Sequence, residues 1–110
     1  MNLEETARAY FTAFENKDID NLSERFQDTV SLKDWNSYAE GKESVLKANA
    51  DIFKSTGEIT VTIRNLYVCD LTVVAELMIF FDGGNALPVV DIIKFTSTEK
   101  IESIVAYRGN

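Results

Sequence analysis

Four side chains stand where their chemistry is at odds with their neighbours. Asp91 lies in Leu87-Pro88-Val89-Val90-Asp91-Ile92-Ile93-Lys94-Phe95, where strand alternation puts it on the same face as Val89 and Ile93. A carboxyl on an apolar face must accept hydrogen bonds, pair with a cation, or keep its proton. Two readings therefore stand: a residue paired with a nearby Arg, Lys or backbone group, or a proton-bearing member of a site. Asp34 ends a short strand beside Trp35. It is either a carboxylate at the rim of an apolar cavity or a turn aspartate that bonds its own backbone. Tyr10 falls on the apolar stripe of a helix, so its hydroxyl either finds a core partner or donates into a pocket. Arg108 follows Ile104 and Ala106 on one strand face, as an anion clamp or as a surface residue whose stem covers apolar ground.

Composition removes other chemistries. The 110 residues include no His and one Cys, so the chain cannot build a Cys/His zinc site, a Ser-His-Asp relay, a Cys-His pair or an intrachain disulfide. Cys69, in an apolar strand-like run, reads as a small core residue. Eleven Lys and Arg against 18 Asp and Glu give a net charge of −7. The basic residues are scattered singly and form no patch for a nucleic-acid backbone. Lys94, Glu76 and Arg64 interrupt strands one at a time and read as solvated. Asp82-Gly83-Gly84-Asn85 joins two strands and opens no helix, so it is a hairpin turn and not a phosphate loop. The start, Met1-Asn2-Leu3-Glu4-Glu5, is acidic where a secretory signal is basic, and no apolar run reaches the roughly 18 residues of a membrane span. A soluble cytoplasmic protein is expected.

The elements that must position these residues follow from periodicity. Leu3, Ala7, Tyr10, Phe11 and Phe14 recur at helical spacing over about residues 3 to 16, with Asn2 and Glu5 arranged as a capping box. Asp18 is placed to cap a second helix through Ile19, Leu22 and Phe26. Thr29 to Lys33 alternates as a strand that ends near Asp34-Trp35, and a polar loop follows over residues 36 to 40. Gly41 opens a third helix whose buried face holds Val45, Leu46, Ile52 and Phe53, with Asn49 as the odd polar member and Gly57 as a left-handed terminator. Strands are expected at Ile59–Ile63, Leu71–Phe81, Ala86–Thr96 and Ile101–Arg108. At this length one domain over residues 1–110 buries roughly two-thirds of its unfolded surface. Helices first and an antiparallel meander second make an α+β fold, three N-terminal helices packed on a curved, mainly antiparallel sheet.

The run Tyr10-Phe11-Thr12-Ala13-Phe14-Glu15-Asn16-Lys17-Asp18-Ile19-Asp20, then Phe26 to Asp34, the Gly41 helix opening and Val90-Asp91-Ile92-Ile93-Lys94-Phe95 together resemble the nuclear transport factor 2-like superfamily. This cystatin-like cone includes the ketosteroid isomerases and the SnoaL-like polyketide cyclases, and the resemblance spans essentially the whole chain. Its motifs are loose, and they speak for fold more than for activity. It implies that Tyr10, Asp34 and Asp91 match the catalytic tyrosine and two aspartates of the isomerases. In that scheme an ionised carboxylate removes a proton beside a carbonyl, while a tyrosine and a neutral carboxylic acid donate to the enolate oxygen. The chain also departs from the pattern. Phe26 and, approximately, Asn49 stand where the isomerases carry supporting tyrosines, and Arg108 replaces a lining aromatic. Cyclases and dehydratases that need an Asp-His pair are out of reach.

The expected site is an apolar pocket lined by Tyr10, Trp35, Phe53, Met78, Phe80, Asp91, Ile104 and Arg108. It would run isomerase-type proton transfer on a small hydrophobic substrate with no cofactor and no metal, Asp34 acting as base, Tyr10 and Asp91 as donors, and Arg108 holding a substrate carboxylate. The alternative is a non-catalytic binding or association module with an occluded cone and an Asp91–Arg108 pair. Val105 and Tyr107 face away from Ile104 and Ala106, and the apolar outer face they share predicts a homodimer through the sheet.

Overall fold

The computed structural model describes residues 2–109; Met1 and Asn110 lie outside them. Helix α1 (Leu3–Glu15) starts where Asn2 Oδ1 accepts the Glu5 N–H at 3.1 Å, and it buries Leu3, Ala7, Tyr10, Phe11 and Ala13. The bond that Glu5 was expected to return to the Asn2 N–H is not formed among the described residues; the Thr6 hydroxyl donates separately to the Asn2 carbonyl at 3.0 Å. Asp18 caps the short α2 (Ile19–Arg25) through the Asn21 N–H. Phe26, expected at the end of this helix, instead opens β1 (Phe26–Lys33), because it is fully buried and pairs with Ile101. The polar loop that follows contains a short strand, β2 (Tyr38–Glu40), antiparallel to β1. Gly41, at φ 90°, caps α3 (Lys42–Ser55) with a backbone conformation that suits glycine.

Four longer strands complete the sheet: β3 (Ile59–Cys69), β4 (Thr72–Phe81), β5 (Ala86–Phe95) and β6 (Ile101–Arg108). The spatial order is β2-β1-β6-β5-β4-β3, and only the β1–β6 pair is parallel. Register shifts interrupt the ladders between Phe26 and Ser31, Ile63 and Asn65, and Lys94 and Phe95. The three helices lie on one face, where Val30, Ile59, Val73, Leu77, Ile93, Ile101 and Ile104 meet Ala7, Leu22 and Val45 in one core. The other face carries Val74, Met78, Phe80, Val90, Ile92, Val105 and Tyr107. No described helix is long and apolar enough to cross a membrane.

Strand β3 runs several residues further than its alternating start suggests, and residues 67–70 at its end are exposed. Cys69 is therefore an exposed thiol and not the core residue expected from its apolar neighbours. The helical layer ends before the tip of the β3–β4 hairpin.

Three charged side chains gather the end of α1, the end of α3, the start of β3 and the β4–β5 turn at the other end of that hairpin. Lys17 Nζ donates to the last carbonyls of α3, at Phe53 (2.9 Å) and Thr56 (2.6 Å), where the helix dipole favours a cation. Glu15 Oε2 accepts the Val61 N–H at 2.6 Å, covering part of an edge strand. The Asp82 carboxylate accepts the N–H groups of Gly57 and Glu58. Asp82 and Gly83 both have positive φ, and the Gly84 N–H donates to the Phe81 carbonyl, so the β4–β5 hairpin turns as type I′.

Gly57 does not take the left-handed conformation expected of a helix terminator; the positive-φ glycines are Gly41 and Gly83. Glycine is required there by close approach, since a Cβ would overlap the Asp82 carboxylate. Gly57→Ala is expected to lower stability by roughly 1–3 kcal/mol, read from the urea midpoint, and the loss should shrink when Asp82 is also truncated.

Candidate functional site

Between the helices and the inner face of the sheet is a cavity of about 460 Å³, within the range of roughly 300–1,000 Å³ usual for small-molecule sites. Helix α1 contributes Tyr10, Phe11 and Phe14, α3 contributes Ala48, Asn49, Asp51 and Ile52, and the sheet contributes Val61, Leu77, Ile79, Phe81, Leu87, Val89, Asp91, Ile104 and Ala106. Leu32, Asp34, Trp35, Asn36 and Ser37 form the wall at the end of β1. The lining is mostly apolar, its only ionisable groups apart from Tyr10 are aspartates, and no described Lys or Arg takes part in it.

Asp91 is the inward member of Val89-Val90-Asp91-Ile92-Ile93, as alternation predicts, and is 8% exposed. Its partners across the ladders are Ala75 on β4 and Ala106 on β6, so two small side chains leave space beside its carboxyl. No described group forms a salt bridge or a side-chain hydrogen bond with it. Burial alone pushes its carboxyl up from the usual range to about 7.

Tyr10 is 4% exposed, and its ring packs against Phe11 and Phe26 with centroids at 5.1 and 6.3 Å. Its hydroxyl makes no hydrogen bond to a described group. Burial, and then the neighbouring Asp91 charge, raise the phenol beyond its ordinary value, so it stays an O–H donor. Tyr10 and Asp91 are thus close enough to sense each other, and both lack a partner.

Asp34 satisfies both sequence readings at once. Its Oδ1 accepts the Asn36 N–H (2.8 Å), the Ser37 N–H (2.7 Å) and the Ser37 hydroxyl (3.2 Å), a turn aspartate bonding its own loop. It also lines the cavity, and its Oδ2 makes no described hydrogen bond. Trp35 lies beside it, 41% exposed. Ile104 lines the cavity as expected.

Four expected lining residues do not reach the cavity. Met78 and Phe80 point to the opposite face, because Leu77, Ile79 and Phe81 are the β4 residues that share Asp91's side of the sheet. Phe53 is buried but sits behind the wall, its ring edge-on to Phe14 at 5.2 Å. Arg108 pairs in register with Val89, yet it is exposed at the end of β6 and makes no described ion pair. The expected clamp for a substrate carboxylate is absent from the lining, and so is the Asp91–Arg108 pair. Parity with Asp91 was the signal that could have found Leu77, Ile79 and Val89. Asn49 carried a signal of its own, a polar residue on the apolar face of a helix.

Residues 7–104 match the family model described as a SnoaL-like domain. A search of curated proteins returns no match. Among solved structures, the chain is similar to a protein from Kribbella flavida proposed to be a ketosteroid isomerase (13% identity, 96% of this chain and 76% of that one, TM-score 0.83). It is similar also to a Catenulispora acidiphila protein with a ketosteroid isomerase-like fold, in complex with trimethylamine (20%, 94% and 84%, 0.82). A third is a protein from Shewanella denitrificans proposed to be a SnoaL-like polyketide cyclase (18%, 96% and 89%, 0.82). At these identities the likeness shows a shared fold.

The raised Asp91 value has a defined effect on stability. Between pH 4 and 7 the unfolded chain releases this proton while the folded chain keeps it, so stability falls as pH rises through that window and levels off above it. Asp91→Asn removes the effect. Urea midpoints across pH should show the variant matching wild type near pH 4 and exceeding it near pH 8 by roughly 4 kcal/mol.

Proposed function

The chain belongs to the SnoaL-like domain family, and we propose that its cavity is a small-molecule site that moves a proton beside a carbonyl without a cofactor. One observation carries this reading: the Tyr10 hydroxyl and the Asp91 carboxyl share an apolar cavity and neither has a side-chain hydrogen-bond partner among the described residues. Both are therefore available to donate to one ligand oxygen in that cavity. In the proposed reaction Asp34 Oδ2 takes a proton from the carbon next to the carbonyl. The C–H electron pair moves into the carbonyl system, and the resulting enolate oxygen accepts hydrogen bonds from Tyr10 and protonated Asp91. Where the substrate carries a carbon–carbon double bond conjugated with that enolate, return of the proton to the far carbon of the resulting dienolate moves the double bond and completes an isomerisation. The low dielectric of the lining strengthens both donors' effect on the developing charge.

The similar structures proposed to be an isomerase and a cyclase, and the one that holds trimethylamine, support a small-molecule role for this cavity. A second reading, a non-catalytic binding module, draws on Asp34, whose Oδ1 is already held by three donors of its own loop. The open cavity and the unpaired Asp91 speak against its occluded form.

We infer also that the outer sheet face seats a second copy of the chain. Val74, Met78, Phe80, Val90, Ile92 and Val105 form an apolar stripe that no helix covers. Sedimentation at micromolar concentration is expected to give a dimer, and Ile92→Glu to give a monomer; a monomeric wild type rejects this pairing.

The catalytic reading is tested with a naphthol whose fluorescence reports its ionisation, since its oxygen imitates an enolate. Wild type should bind it and shift its ionisation, and Asp91→Asn should change that shift. On any carbonyl substrate then accepted, Asp34→Asn should lower turnover by about 100-fold or more. Unchanged turnover in Asp34→Asn would remove Asp34 as the base, and naphthol binding with no turnover of any carbonyl compound would leave the binding module as the better description.

A further inference from the structure

The outer face of the sheet carries a carboxyl in the middle of its apolar stripe. Glu76 stands on β4 between Val74 and Met78, and the ladders place Val90 beside it on β5 and Asn65 beside it on β3. Tyr107 follows Val90 in the same row. The Asn65 amide donates to Glu76 Oε1 at 2.6 Å, and Glu76 Oε2 makes no described hydrogen bond. No salt bridge among the described residues includes Glu76. In the single chain the residue is exposed, and water solvates its charge.

Its position decides what it meets when that face is covered. With strands about 4.8 Å apart and a rise of about 3.4 Å per residue, the centre of Val74, Met78, Phe80, Val90, Ile92 and Val105 falls within about 4 Å of Glu76. A second copy seated face to face is related by a two-fold axis that lies between the two sheets. Whatever its direction, an axis through the centre of the stripe leaves the two Glu76 residues no more than about 7 Å apart in projection, and stacked sheets pack about 10 Å apart. Two glutamate side chains span that gap, and their carboxyls meet. The lysines of the face stand toward its rim. Lys94 lies four residues along β5 from Val90, about 14 Å from Glu76, and Lys33 on β1 is about 16 Å away. A two-fold rotation keeps each residue's distance from the centre, so the partner's lysines also stay about 10 Å or more from Glu76 in projection. Arg64 occupies the bulge of the edge strand β3, exposed and without a described ion pair. Tyr67 and Tyr107 are exposed and bring only hydroxyls.

Two carboxylates pressed together with no cation between them do not both stay ionised; they share one proton, the acid donating to its partner carboxylate. The geometry points to association coupled to proton uptake, in which a second copy docks on this face as the paired Glu76 carboxyls take one proton from solvent. The dimer binds a proton that the separate chains do not, so its affinity is highest in acid and falls as pH rises. This rests on the pairing through the outer face proposed above, and it gives that pairing a control separate from the cavity, since Asp91 titrates on the inner face.

The test measures the dimer dissociation constant by sedimentation over a dilution series at pH 5.5, 6.5 and 7.5. The chain has no histidine, so few other surface groups titrate in this window. Wild type should weaken by about tenfold or more from the first pH to the last. Glu76→Gln, whose amides hydrogen-bond to each other uncharged, should keep one constant throughout, at least as tight as wild type at pH 5.5. Glu76→Lys retains a like-charge pair that acid does not relieve and should be weak at every pH. A wild-type constant that ignores pH, or a Glu76→Gln variant that follows pH as wild type does, overturns the inference and leaves the dimer standing. So does a Glu76→Gln dimer weaker than wild type at pH 7.5, the result that neutralisation of Glu76 by the partner's Arg64 would give. A chain that stays monomeric at pH 5.5, as wild type and as Glu76→Gln, overturns the inference together with the pairing.

Discussion

A knot of three charged side chains around residues 53–61 joins the end of α1, the end of α3, the start of β3 and the β4–β5 turn. Lys17 holds the C-terminal carbonyls of α3, Glu15 holds the edge of β3, and Asp82 holds the loop between them. Each is a charge-assisted bond to backbone, stronger than a neutral one. Hydrophobic contact alone is non-directional, and these bonds give the packing at this end a fixed register. Beside them α1 and α3 meet edge-on through Phe14 and Phe53, and Phe14 also lines the cavity.

The groups least at ease in the cavity lining are its polar ones. Asp91 sits between Ala75 and Ala106, two small side chains, and no described side chain hydrogen-bonds its carboxyl. Burial makes the charged form expensive and keeps the proton on near neutral pH. The same surroundings that cost folding energy therefore supply a donor that an exposed aspartate could not be. Tyr10 adds a second donor whose proton is held still more firmly.

The fold and the inward placement of Tyr10 and Asp91 were legible because periodicity carries them. Helical spacing put Tyr10 on a buried stripe, and alternation put Asp91 and Ile104 on the inner face. Strand β4 hid its orientation, since Val73 to Phe81 is apolar on both faces apart from Glu76; only its register with Asp91 separates Leu77 and Ile79 from Met78 and Phe80. Arg108 has the right parity and the wrong reach, because a side chain at a strand end follows solvent. Cys69 and Gly57 were misread for a shared reason. Exposure of the hairpin tip and the approach of Asp82 to Gly57 depend on elements distant in sequence. Asn49 was visible as an oddity, but its lack of a partner required the packed structure.

The single parallel pairing, β1 with β6, ties the second quarter of the chain to its last strand. Asp91 is flanked by β4 on one side and by β6 on the other, and β6 is itself held on its far side by β1. The burial that holds the Asp91 proton is therefore a property of the whole sheet, built from segments far apart in the chain, and not of the residues next to it in sequence.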